Sequence, residues 1–134
     1  MRLSSKTITA IKLFIDLGEH YNGGFETLTD IASRKELSKK FLEQIIPLFR
    51  NSGLLIGSRG NQGGYKLSKS PKDITLKDII YVTEPALGEY KTNNQTIDNI
   101  LNEVDQKLND TFCNITVEKL LEKELESYTN IYYI

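Results

Sequence analysis

Apolar residues recur along this chain mostly at steps of three and four, and in one place as two short runs around glycines. From Ser4 to Glu19 the apolar positions are Ile8, Ile11, Leu13, Phe14, Ile15 and Leu17, with pairs such as Ile11–Ile15 and Leu13–Leu17 at helical spacing. Ser4 or Ser5 can cap this first helix, because a hydroxyl accepts an orphan backbone N–H, and Asn22-Gly23-Gly24 ends it. Thr27 or Thr29 caps a short second helix holding Leu28, Ile31 and Ala32. After a turn at Arg34–Leu37, Ser38 caps a third helix, Lys39 to Asn51. Its expected apolar face is Phe41, Leu42, Ile45, Ile46, Leu48 and Phe49, and Lys39, Lys40, Glu43, Gln44 and Arg50 lie on the polar side. Pro47 lacks the N–H that would bond to Glu43, which costs about 3 kcal/mol in a helix interior; a kink or early thinning is expected there.

The runs Leu54-Leu55-Ile56 and Tyr65-Lys66-Leu67 flank a loop holding Gly57, Gly60, Gly63 and Gly64, the pattern of a β-hairpin. Its tip presents Arg59, Asn61 and Gln62 among glycines, and an arginine there can enter a narrow groove of negative potential. Thr75 opens a helix with Leu76, Ile79 and Ile80, closed by Pro85. Ala86 to Thr96 has no period and reads as an exposed loop. Ile97, Ile100, Leu101, Val104 and Leu108 then form one stripe on an amphipathic helix. A last helix begins after Thr116, with Val117, Leu120, Leu121 and Leu125 expected inward, followed by an aromatic tail from Tyr128 to Ile134.

The order helix, short helix, turn, helix, hairpin predicts a mainly α fold with a small β-hairpin wing. Residues 1–84 read as a winged helix-turn-helix, and residues 85–134 as a connecting loop, a dimerisation helix and a C-terminal helix. The stripe Ile97, Ile100, Leu101, Val104 and Leu108 lies far from the reading unit and calls for a partner, a second copy being favoured.

Charge sharpens this picture. The chain of 134 residues has a net charge of −1, but through Ser70 there are 11 Lys and Arg against 6 Asp and Glu, and from Pro71 onward 6 against 12. A basic front and an acidic back suit a protein that meets phosphate at one end. Helix entrances add unpaired N–H groups, and Arg2 and Lys6 stand at the first of them. No apolar run reaches the roughly 20 residues of a membrane helix. The N-terminus has no small-residue cleavage site of a signal peptide, so a cytoplasmic protein without membrane attachment is expected.

An enzyme is not expected. The one histidine, His20, falls at a helix end, and no nucleophile–base pairing, phosphate loop or metal-ligand spacing is present. Cys113 is the one cysteine, expected as a buried inert thiol beyond the long helix, with redox sensing as the alternative. The competing functional class is a winged-helix protein-interaction module that does not bind DNA.

The residues Met1-Arg2-Leu3-Ser4-Ser5-Lys6, Leu28-Thr29-Asp30-Ile31-Ala32, Ser38 with Phe41-Leu42-Glu43-Gln44-Ile45, Ser52-Gly53-Leu54-Leu55, Arg59-Gly60 with Gly63-Gly64-Tyr65-Lys66-Leu67, and Ile74 to Ile80 stand in an order that resembles the Rrf-two family of winged-helix transcription regulators. The resemblance covers residues 1 to about 84; beyond Pro85 only the layout is similar. It implies a homodimeric regulator, expected to repress, on an inverted repeat in double-stranded DNA, switched by a small-molecule or protein effector. By position, Ser38, Lys39, Lys40, Phe41 and Gln44 would face the major groove, where glutamine can pair with adenine and lysine can reach guanine or phosphate. Arg59 with Gly60, Asn61, Gln62 and Tyr65 would serve the minor groove, and Arg2 and Lys6 would hold the backbone. Cluster-binding members carry three cysteines in the loop before the long helix. The loop 85–96 has none here, which implies the cysteine-poor branch and no cofactor.

Overall fold

The computed structural model describes residues 1–60, 63–85, 87 and 90–132, and for 129–132 the backbone alone. Among the described residues, six α-helices and one hairpin follow the expected order. They are α1 (Ser5–Glu19), α2 (Leu28–Lys35), α3 (Lys39–Asn51), β1 (Leu55–Ser58), β2 (Gly64–Leu67), α4 (Leu76–Thr83), α5 (Gln95–Cys113) and α6 (Val117–Tyr132), with short 3-10 turns at Tyr21–Gly23 and Pro71–Asp73.

Hydroxyl and carboxamide caps set the helix starts. Ser4, Thr27, Ser38 and Thr75 each accept a backbone N–H from the first turn that follows, and Asn94 does the same for α5. At α4 the cap is reciprocal, since the Asp78 carboxylate also accepts the Thr75 N–H at 2.9 Å. Glu36 turns the chain between α2 and α3 in the left-handed region, φ 52°, with its N–H bonded to the Ala32 carbonyl.

The core gathers the inward faces of α1, α3, α4 and the hairpin. Ala10, Leu13, Phe14, Ile31, Leu42, Ile45, Phe49, Ile74 and Ile79 are fully enclosed, and Phe14 meets Phe49 edge to face at 4.8 Å. The far end of the chain closes this core. Val117 is also fully buried, its N–H donates to the Ile74 carbonyl at 2.8 Å, and Leu76 N–H donates to the Ile115 carbonyl at 2.8 Å. A Cβ on Gly18 would stand 3.0 Å from Val117 Cγ1, so α6 and α1 approach closely there.

The hairpin pairs Leu55 with Leu67 and Ser58 with Gly64, antiparallel. It gains a third edge that the periodicity does not announce: Glu26 and Tyr65 exchange both backbone hydrogen bonds, at 2.9 and 2.8 Å. This one-residue bridge ties the wing to the segment before α2. It also explains Gly64, where a Cβ would overlap the Glu26 carbonyl. Gly64→Ala is therefore expected to cost about 2–3 kcal/mol, in the range of overpacked sites. Urea denaturation reads it, and a change below about 0.5 kcal/mol would mean that the Glu26 bridge yields freely.

Several expectations need correction. Of the two outcomes expected at Pro47, early thinning does not occur: α3 keeps its expected span, Lys39–Asn51. Glu43 and Pro47 are both exposed, so water can serve the carbonyl that Pro47 leaves without a donor. The apolar face of α3 is narrower than expected, because Phe41 is 39% exposed and does not join the core. Leu125 is 68% exposed, not inward; α6 turns it away while Val117 and Leu121 pack against α1. Cys113 is neither buried nor beyond the long helix: it is the last residue of α5 and exposed, because Phe112 takes the buried place beside it. The stripe on α5 is divided. Ile97, Ile100 and Val104 are 45%, 56% and 52% exposed, whereas Leu101 and Leu108 are half-buried.

Candidate nucleic-acid interface

Helix α3 begins Ser38-Lys39-Lys40-Phe41, and its first turn carries no acidic side chain. By contrast α2, α4, α5 and α6 each place an acid there: Asp30, Asp78, Asp98 and Glu118. An acid at that position offsets the positive end of the helix dipole. Leaving it out, and supplying two lysines instead, keeps the end of α3 open to an external anion. The Ser38 hydroxyl accepts from Phe41 N–H at 3.3 Å, which fixes where the helix starts. Lys39 Nζ donates to Thr29 Oγ1 at 3.2 Å, so α2 steadies one of the two lysines. Ser38, Lys40 and Gln44 are exposed alongside.

Helix α1 has no acid of its own in its first turn either, but the residue that caps the end of α4 supplies one. The Glu84 carboxylate accepts from Ser4 N–H at 3.0 Å and from the Thr7 hydroxyl at 2.7 Å. These bonds, the Ser4 backbone donor first, hold the Glu84 carboxyl below the usual carboxylate range. Arg2 and Lys6 at this end are exposed. Arg2 also lines a cleft of about 430 Å³ with Glu84, Tyr90, Val104 and Leu108.

On the wing, Ser58, Arg59 and Gly60 are exposed. Gly60 takes φ 107°, a backbone state that side chains disfavour, and its carbonyl accepts from Gly63 N–H at 2.9 Å. Asn61 and Gln62 lie outside the described residues. Tyr65 is half-buried against the core, with its backbone bonded to Glu26. Two cations steady the wing without having been singled out from the sequence. The Arg50 guanidinium lies against Gly57, where a Cβ would stand 3.0 Å from Cζ. Lys66 Nζ sits 4.8 Å from the centre of the Phe25 ring.

Half of the acids in the basic front are used internally. Asp16, fully buried, accepts from Arg34 Nε at 2.9 Å and from Nη2 at 2.8 Å. The same Nη2 lies 2.9 Å from Glu26 Oε1, and Lys35 pairs with Glu19 at 2.9 Å. The Asp16 hydrogen bond is the main reason the Arg34 pKa is raised. Arg2, Lys6, Lys39, Lys40 and Arg59 form no ion pair within 4 Å among the described residues, although the Lys6 charge also helps to hold the Glu84 carboxyl low. Asp16, Glu19 and His20 also bring ligand-type atoms within 4.8 Å of one another. Both Asp16 oxygens are already held by Arg34, and the His20 Nδ1 lies 2.8 Å from the Asp16 carbonyl, so this cluster is an ion-pair network at the end of α1.

Comparison with known proteins now decides the family. A family model described as an iron-dependent transcriptional regulator matches residues 3–123. The chain belongs to the Rrf2 family. The regulator CymR of Bacillus subtilis is 38% identical over 84 residues, which make up 63% of this chain and 61% of that protein. The regulator IscR of Photorhabdus laumondii is 33% identical over 87 residues, 65% of this chain and 53% of that one. The chain thus spans about half to three-fifths of these curated relatives. Among solved structures, IscR of T. potens matches with a TM-score of 0.80 and 31% identity, covering 95% of this chain and 90% of that one. The structure of CymR, described as the global cysteine regulator of B. subtilis, matches with a TM-score of 0.81 and 27% identity, covering 92% and 98%. The winged-helix fold expected from the sequence is the fold of these Rrf2 relatives.

The family description names iron, which in a protein of this kind an iron–sulfur cluster would supply. Such a cluster takes several thiolates. This chain has one cysteine, exposed at the C-terminal end of α5, and the segment from Pro85 to Asn94 that precedes α5 has none. The residues present do not fit a cluster of that kind. Among the described residues, no helix is long and apolar enough to cross a membrane.

Proposed function

We propose that this chain is a sequence-specific DNA-binding transcription regulator that acts as a homodimer on an inverted-repeat operator and represses by occupying it. The observation that carries the reading is the start of α3: a serine-capped first turn with two lysines, no acid, and Gln44 exposed one turn further on. Membership of a family of transcription regulators agrees with it. Residues 1–84 form the reading unit in this proposal, and 85–134 the assembling part, although α6 also packs on α1. Ser38, Lys39, Lys40, Phe41 and Gln44 enter the major groove; Arg59, Gly60, Asn61 and Gln62 reach the minor groove with Tyr65 supporting them; Arg2 and Lys6 hold phosphates. The cleft beside Arg2 is where an effector would touch the reading unit.

The operator itself is found by selecting from a random DNA pool with the full chain. Two substitutions then separate the roles. Arg59→Ala leaves folding nearly intact, because the side chain is exposed, and lowers operator affinity by about 1–3 kcal/mol. Gln44→Ala chiefly relaxes preference at one position per half-site. Binding of both variants to the operator and its single-base variants, at one salt concentration, checks this. Wild-type affinity for Arg59→Ala would mean that the wing does not grip DNA and would favour a protein-interaction module.

A further inference from the structure

Phe41 is a large apolar side chain that the fold leaves partly exposed. It is the third residue of α3, its N–H bonded to the Ser38 hydroxyl. In a serine-capped helix that position favours Glu or Gln, which reach back to the cap N–H; α4 follows this logic with Thr75 and Asp78. In α3 it holds a phenyl ring, 39% exposed. The core does not require the ring there, since Leu42, Ile45, Ile46 and Phe49 of the same helix are already buried to 2% exposure or less. The ring therefore forgoes a favourable cap and leaves apolar surface in water, just after two lysines.

We propose that Phe41 reads the C5-methyl group of a thymine in the major groove. This rests on the DNA-binding reading given above and extends it to a base. A partner for this surface must be anionic, to suit Lys39 and Lys40, and must offer an apolar group within the same reach. The major groove meets both needs: phosphates line it, and the thymine methyl is the one apolar group on its base edges. Phe41 and Gln44 are three residues apart, hence neighbours on one helix face. The thymine read by Phe41 accordingly lies beside the base pair at which Gln44 acts.

The test changes the DNA and leaves the protein untouched. In the operator selected by the full chain, each thymine is replaced singly by uracil, which removes the methyl and keeps the hydrogen-bonding edge. At one thymine per half-site, wild-type affinity falls about fourfold, the equivalent of one buried methyl at about 0.8 kcal/mol. Phe41→Ala protein, shown to be folded by circular dichroism, binds the thymine and uracil operators equally. Wild-type protein indifferent to every uracil would overturn this inference while leaving DNA binding in place. The same fourfold loss in Phe41→Ala would also overturn it, because another group would then hold the methyl. A pool from which the chain enriches no sequence would remove the DNA reading and this inference together.

Discussion

Replacing Ile100 and Val104 together with aspartate yields folded monomers that no longer occupy the operator at concentrations where wild-type protein saturates it. Both side chains are more than half exposed, at 56% and 52%, and Ile97, one turn earlier, is 45% exposed. Together they form an apolar strip on α5, whose outer face otherwise carries polar residues such as Asn99, Glu103 and Gln106. In the proposed dimer this strip meets its copy, and two aspartates there would place unpaired charge in an apolar interface. The fold survives because the inward contacts of α5 belong to other residues: Leu101 and Leu108 are half-buried, and Phe112 is 5% exposed. Loss of the dimer removes the gain from two reading heads on one DNA molecule, expected to weaken operator binding at least about a hundredfold. Sedimentation and circular dichroism check the two halves of this result. A folded dimer unaffected by both substitutions would place the interface elsewhere.

Arg34→Met is expected to be the most destabilising single substitution outside the apolar core. Arg34 supplies both bonds to the fully buried Asp16 carboxylate and a third to Glu26. Removing it leaves a buried charge without its partner, which costs about 3–5 kcal/mol in enclosed pairs. The Arg34 side chain is 32% exposed, and water can partly replace it, so about 3 kcal/mol is expected. Because Glu26 also holds the wing through Tyr65, the loss should loosen the hairpin as well as α2. A second substitution discriminates mechanism from mere size: Asp16→Leu added to Arg34→Met should recover most of the loss, since the unpaired charge is gone. Equilibrium urea denaturation reads both, and Arg34→Met within about 0.5 kcal/mol of wild type would contradict the buried-pair account.

The features most legible in the sequence were those set by neighbours along the chain. Ser38 before Lys39-Lys40 marks the start of α3, Thr75 marks α4, and the glycines from Gly57 to Gly64 mark the wing, because caps and turns depend on a few adjacent residues. Features set by distant residues were not legible. The Asp16–Arg34 pair spans 18 positions, although an acid set between the apolar Leu13 and Leu17 of α1 is a signal for it. The Glu26 bridge is one residue long and leaves no alternation to detect. Periodicity gives the direction of a helical stripe but not how much of it the rest of the fold covers. For that reason Phe41 and Leu125 were expected inward and lie exposed, and the α5 stripe divides into outward Ile97, Ile100 and Val104 and inward Leu101 and Leu108. Cys113 shows the same limit at a helix end, where one step along the chain separates a buried Phe112 from an exposed thiol.

The most direct test of the central claim is the salt dependence of binding to the selected operator, followed by fluorescence anisotropy from about 50 to 200 mM monovalent salt. Arg2, Lys6, Lys39, Lys40 and Arg59 on each of two protomers would release counterions from phosphates, and affinity should fall at least about a hundredfold over that range. Affinity that stays flat across it would contradict the account.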